Sequence, residues 1–271
     1  MQSHYISYKN SLIHYRRFGD GKKLLFCFHG YGRDSTTFSF LAKYLGSRFT
    51  LIAIDLPFHG LTQWKDALIF KPASLSQMMI DISHQLKIQP VKFSILGFSM
   101  GGRVALHLTR LLPHHVERLI LLAPDGLSFN FWRWVGSRTF VGRTILHYTM
   151  QHPHWLLRLV NMAEKWKLMH KSLADFVRYY INQEVQRKIL YRRWITMRKF
   201  TAELTELKKL IKKNKIPVKM LFGAFDKVIP ARGGQKFVKG IEAFATVEVV
   251  QLGHHLLTEG NVKKIVQLIN D

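Results

Sequence analysis

The most suggestive chemistry in the chain lies in Gly97-Phe98-Ser99-Met100-Gly101-Gly102. A serine flanked two residues before and two after by glycine fits a turn so tight that its neighbours must be small, leaving the hydroxyl exposed. A hydroxyl is a poor nucleophile at neutral pH unless a base takes its proton, and the base needs an acid to orient it. Two later stretches can supply them. Gly223-Ala224-Phe225-Asp226 offers a carboxylate, and Leu252-Gly253-His254 offers an imidazole, so Ser99, Asp226 and His254 occur in the order nucleophile, acid, base. A helix starting just behind Ser99 would put its N-terminal amides and positive dipole end beside any oxyanion formed there.

Each of these residues follows a strand-like run. Val91-Lys92-Phe93-Ser94-Ile95-Leu96 reads as a buried strand, and Val104, Ala105, Leu108, Leu111 and Leu112 then recur at helical spacing until Pro113. Apolar or alternating runs at 4–8, 11–17, 23–28, 51–54, 118–122, 217–222 and 246–250 predict further strands. Between them, helices are expected from Asp34 or Ser35 to Leu45, from Ser76 to Leu86, near 232–240 and from Asn261. Strands and helices alternating on short loops predict an α/β architecture, a mostly parallel sheet with helices on both faces. The rhythm breaks over 127–215, where helical patterns dominate and five of the six tryptophans lie: Trp132, Trp134, Trp155, Trp166 and Trp194. We therefore expect a core of 1–126 and 216–271, with 127–215 a helical cap inserted over the strand ends, where open α/β sheets place their sites.

Taken together, these motifs resemble the α/β-hydrolase superfamily from about residue 11 to the C-terminus, outside the variable cap. The strand-then-His29-Gly30 pattern, the Asp55-Leu56-Pro57 turn, the serine turn, the Gly-x-x-Asp of 223–226 and the Gly253-His254 pair occur in family order. The resemblance implies that Ser99 is the nucleophile, Asp226 the acid and His254 the base, with Met100 and Tyr31 as oxyanion donors. It prefers His254 to His255 because His254 directly follows Gly253 and stands five residues before Glu259. The rival acid is Asp125, because some members carry it after the strand preceding the cap.

Other positions have plainer readings. Asp55 is expected to hold loop amides at a strand end, and His29 to fix the loop of the oxyanion amide. Phe58 stands where relatives of the His59 loop have glycine, so that backbone is expected to differ and the phenyl to narrow the pocket. Arg103, four residues after Ser99, has two readings: it reaches a substrate carboxylate, or it pairs with a local carboxylate or is solvated. The run 97–103 also resembles the menaquinone-pathway lyase 2-succinyl-6-hydroxy-2,4-cyclohexadiene-1-carboxylate synthase, which implies the first.

Composition sets the bounds. A chain of 271 residues, 47% hydrophobic, can bury a full core, and no apolar run is long enough to span a bilayer. The start lacks a signal-peptide core, and Cys27, the only cysteine, reads as a buried structural thiol. These features predict a cytoplasmic protein. The formal charge of +24 predicts attraction to anionic surfaces, and residues 127–215 are the densest part, with 19 Lys/Arg against 5 Asp/Glu. Peripheral contact with an anionic membrane is one consequence. No nucleic-acid recognition motif accompanies the charge, and Lys208 to Lys215 reads as the solvated face and exit of a helix. The fourteen histidines show no metal-ligand spacing and there is no phosphate cradle, so neither metal nor cofactor is expected. The substrate expected is a small-molecule carboxylic ester or thioester, cleaved through an acyl-enzyme on Ser99. The alternatives are a lyase or carbon–carbon bond hydrolase using the same three residues with Arg103, and a binding protein on the same scaffold.

Overall fold

The computed structural model describes residues 1–87, 91–127, 139–169 and 171–270. Eight strands form one sheet in the order β1-β2-β4-β3-β5-β6-β7-β8. They are β1 Gln2–Tyr8, β2 Ser11–Phe18, β3 Lys23–Phe28, β4 Phe49–Ile54, β5 Phe93–Phe98, β6 Val116–Leu122, β7 Val218–Gly223 and β8 Ala245–Val250. β1 pairs antiparallel with β2 and β2 with β4, and every other pairing is parallel. The eight expected strands are all present, shifted by at most about two residues. β3, β4 and β5 are buried almost throughout, as continuous apolar runs with both faces covered must be. Phe26, Phe28 and Phe93 are fully buried among them, each worth about 2–3 kcal/mol of removed apolar surface.

The expected helix from residue 35 begins as a 3-10 segment, Ser35–Leu41, and turns α-helical only over α1, Ala42–Leu45. Asp34 caps it by accepting from the Thr36 amide at 2.8 Å. The other core helices are α2 Pro72–Gln85, α3 Met100–Leu111, α8 Leu204–Asn214, α9 Arg232–Val238 and α10 Val262–Asn270. α3 packs on β3, β5 and β6 and is buried from Met100 to Thr109.

The chain divides into two compact units: Met1–Asp66, Phe70–Ser128 and Lys199–Asp271 form the first, and Ala67–Ile69 with Phe129–Arg198 form the second. The helical segment therefore closes at Arg198, earlier than the expected boundary at 215. The reason is α8. It buries Leu207 and Ile211, packs with α3, and joins Glu206 to Arg110 at 2.8 Å, so it is the crossover helix that parallel β6 and β7 require. Lys209, Lys212 and Lys213 are exposed on it, the solvated face expected of that run.

The second unit contains α4 Phe140–Gln151, α5 His154–Lys165, α6 Lys171–Asn182 and α7 Glu184–Thr196. Arg187, on α7, ties it together: Nε donates to the Met150 carbonyl and Nη1 to that of Ile181, both at 2.6 Å. These carbonyls lie in the last turns of α4 and α6, where unpaired acceptors and the negative dipole end favour a cation. Trp132 and Trp134 lie outside the described residues.

Candidate active site

Ser99 sits between β5 and α3 with φ 51° and ψ −115°, a strained conformation for a residue with a side chain, costing about 1–3 kcal/mol. Close packing imposes it. A Cβ on Gly97 would lie 2.6 Å from the Gly101 carbonyl oxygen, and one on Gly101 would overlap the Phe28 carbonyl. The Ser99 amide donates to Leu122 at 3.0 Å and its carbonyl accepts from the amides of Gly102 and Asp125 at 2.9 Å, which pins the turn to β6. Because α3 begins at Met100, that residue's amide is the first of the helix, beside the hydroxyl.

His254 and Asp226 arrive from the ends of β8 and β7. The Phe225 amide donates to the Leu252 carbonyl at 3.0 Å and that of Ala224 to Val250 at 2.8 Å, so the two loops are stitched before any side chain meets. His254 Nε2 is 3.0 Å from Ser99 Oγ, and its Nδ1 is 2.7 Å from Asp226 Oδ2. The other Asp226 oxygen accepts from the amides of Val228 and Ile229, both at 2.8 Å. An ionised Asp226 can only accept, so Nδ1 carries the imidazole proton and Nε2 is left to accept from the serine. The Asp226 carboxylate is fully buried and the His254 side chain 20% exposed, giving the base a solvent-facing side. His255 is exposed, its ring 6.2 Å from that of His254.

The loop after β3 lies against this turn: a Cβ on Gly30 would stand 3.3 Å from Ser99 Cβ. His29, fully buried, fixes the loop. Its Nε2 accepts from the Leu56 amide at 3.1 Å, so its Nδ1 is the protonated nitrogen and donates to the Gly30 carbonyl at 2.8 Å. The His59 ring packs 4.9 Å from that of His29 and 5.9 Å from that of Tyr31.

Asp125, the rival acid, is used elsewhere. Its Oδ2 lies 3.6 Å from Arg103 Nε, and Arg103 is only 8% exposed. This contact accords with the second reading of Arg103, a pairing with a local carboxylate. Phe58 adopts φ 62°, a left-handed conformation that costs a residue with a side chain more than it costs glycine. Its ring rests 6.4 Å from that of Trp64. Cys27 is fully buried in β3, and burial pushes its thiol far up, keeping it neutral.

Asp55 is a buried hub, as expected, with a partner that sequence reasoning missed. It accepts from the Ser35 amide at 2.6 Å, the Leu61 amide at 2.9 Å and His14 Nδ1 at 2.7 Å. Burial alone would raise its pKa, but the Leu61 and Ser35 amides, the Ser35 hydroxyl and His14 outweigh it and hold it below the usual carboxylate value. His14 Nε2 in turn meets Ser3 Oγ at 2.5 Å. The one signal for His14 is a histidine at an inward position of a strand.

Among the described residues, no group of three or more His, Cys, Asp or Glu is placed to hold a metal ion, and no helix is long and apolar enough to cross a membrane.

A mostly parallel sheet flanked by helices, with a strained serine after one of its central strands, defines an α/β hydrolase. Residues 19–261 match the family model for serine aminopeptidase, S33, and the chain belongs to that family. It is similar to an uncharacterised hydrolase, YugF, of Bacillus subtilis (strain 168), at 22% identity over 93% of this chain and 90% of that protein. A pimeloyl-[acyl-carrier protein] methyl ester esterase of Legionella pneumophila (strain Corby) is 29% identical over 81% of this chain and 82% of its own. Among solved structures, a thermophilic esterase from Thermogutta terrifontis superposes with a TM-score of 0.67 at 17% identity, covering 100% of this chain and 97% of that one. A meta-cleavage product hydrolase from Pseudomonas fluorescens IP01 gives 0.63 at 19% identity, covering 98% and 97%. These likenesses show the α/β-hydrolase fold, and family membership makes the chain a hydrolytic enzyme.

Proposed function

We propose that the protein hydrolyses a carboxylic ester or thioester through an acyl-enzyme on Ser99. The observation that carries this reading is the unbroken chain Ser99 Oγ, His254 Nε2, His254 Nδ1, Asp226 Oδ2, with links of 3.0 and 2.7 Å. As Ser99 Oγ attacks the carbonyl carbon, its proton passes to His254 Nε2 and the carbonyl oxygen becomes an oxyanion. The amides of Met100 and Tyr31 are the donors assigned to that oxygen, the first strengthened by the positive end of α3. Buried Asp226 stabilises the imidazolium, and two backbone amides keep its carboxylate fixed. Collapse of the tetrahedral intermediate breaks the carbon–oxygen or carbon–sulfur bond, and His254 returns the proton to the leaving group. Water, deprotonated by the same nitrogen, then releases the acid and restores Ser99.

The relatives named for cleaving a methyl ester support the ester class. Peripheral contact with an anionic surface is proposed as a second property of the chain, on the strength of its charge. A lyase reading requires Arg103 to hold an anionic substrate, and the contact with Asp125 gives that guanidinium a partner inside the protein. The test is turnover of p-nitrophenyl esters of graded acyl length by the full chain. Turnover abolished by Ser99→Ala supports the proposal, and silence on every ester overturns it.

A further inference from the structure

The helical unit leaves in water the kind of side chains a helix normally buries. On α5, Trp155, Leu159, Met162 and the capping Trp166 recur at i, i+4, i+7 and i+11, a single stripe with exposures between 39% and 62%. The opposite side of α5 carries buried Val160 and half-buried Leu156, Leu157 and Ala163, so the helix has already met its packing need there. On α4, Val141, Ile145 and Tyr148 repeat the arrangement, each more than half exposed. Large apolar side chains in an exposed row mark an interaction surface rather than scattered surface residues.

Charge selects the partner. Exposed Arg158 and Lys165 flank the α5 stripe on one side, and exposed Lys167 follows it. The segments Ala67–Ile69 and Phe129–Arg198 carry 13 Lys/Arg against 3 Asp/Glu. All three carboxylates are already in ion pairs: Glu164 and Asp175 with Arg178 at 2.7 Å, and Glu184 with Lys188. The unit thus shows water an apolar row edged by uncompensated positive charge. An acidic protein would satisfy the cations. The row itself, with indoles at both ends and no polar residue within it, suits the boundary between lipid headgroups and acyl chains.

We propose that α5 docks in the plane of an anionic phospholipid bilayer. Trp155, Leu159, Met162 and Trp166 enter the headgroup boundary, and Arg158, Lys165 and Lys167 meet lipid phosphates. The inference is independent of the chemistry assigned to Ser99, since it concerns where the protein sits and not what it cleaves.

Flotation of the full chain with vesicles tests it. The protein is expected to rise with phosphatidylcholine vesicles containing phosphatidylglycerol, to stay behind with phosphatidylcholine alone, and to lose most of its binding at about 1 M salt, where screening reaches only a few ångströms. Leu159→Glu with Met162→Glu is expected to cut the bound fraction at least tenfold, and Arg158→Glu with Lys165→Glu to do so at low salt. Thermal unfolding of each variant reports folding. Should the glutamates unfold the unit, Trp155→Ala with Trp166→Ala is expected to weaken binding in the same direction. Three results overturn the proposal: no flotation of the wild type with anionic vesicles at low salt, flotation unaltered in the folded stripe variants, or light scattering showing a dimer that those variants dissolve.

Discussion

Ser99–His254–Asp226 and Ser3–His14–Asp55 join the same three residue types in the same order, with links of 3.0 and 2.7 Å in the first and 2.5 and 2.7 Å in the second. In both, a carboxylate held by two backbone amides fixes the imidazole tautomer so that Nε2 faces a serine. Their surroundings differ. Ser99 is held at φ 51° immediately before a twelve-residue helix, with the Gly30 loop against it. Ser3 lies on the edge strand β1, opposite Arg16, and no helix begins there. His254 keeps one side toward solvent, whereas His14 is fully buried. A relay of hydrogen bonds is therefore a means of fixing loops as readily as of moving protons. What separates the two is the strained backbone at Ser99 and the helix that starts behind it, neither of which Ser3 has.

Substitutions break or sharpen this contrast. Ser99→Ala is expected to reduce ester turnover at least about 10⁴-fold with the fold intact, because nucleophile and base act as a unit. Asp226→Asn is expected to lower kcat about 10³- to 10⁴-fold, by presenting the wrong tautomer of His254. Both are read by steady-state kinetics against circular dichroism. Asp55→Asn is expected to spare the chemistry and cost about 3 kcal/mol of stability, because it unbalances a buried hub, and chemical denaturation measures it.

The same residue sets a pH signature. The Asp55 pKa is lower folded than unfolded, so its stabilisation is fully present above the unfolded value near pH 4 and fades as pH falls through the folded one. Wild type is expected to lose stability over that acid range more steeply than Asp55→Asn. Ser3→Ala is the smallest change: less than about 1 kcal/mol of stability and no loss of turnover. A fall in turnover in that variant would erase the distinction between the two chains.

Much of the arrangement was legible in the sequence because it is local. Glycines around Ser99, apolar runs of strand length and the Gly253-His254 pair each declare a turn or strand end, and parallel β-α topology then brings distant strand ends to one edge of the sheet. Contacts that depend on tertiary packing were harder to see. α8 resembles the helices before it in period, and only its burial on α3 assigns it to the core. The contact of Arg103 with Asp125 depends on a loop whose course no local pattern dictates. His14 was invisible because a histidine on a strand has no motif.

The central claim is that one hydroxyl in this chain, that of Ser99, is poised for acyl transfer. Fluorophosphonate labelling of the full chain, followed by peptide mapping, tests it most directly. The account predicts one modified peptide, containing Ser99, whose labelling disappears in Ser99→Ala and in His254→Ala. An unlabelled protein, or a label carried by Ser3 instead, would contradict it.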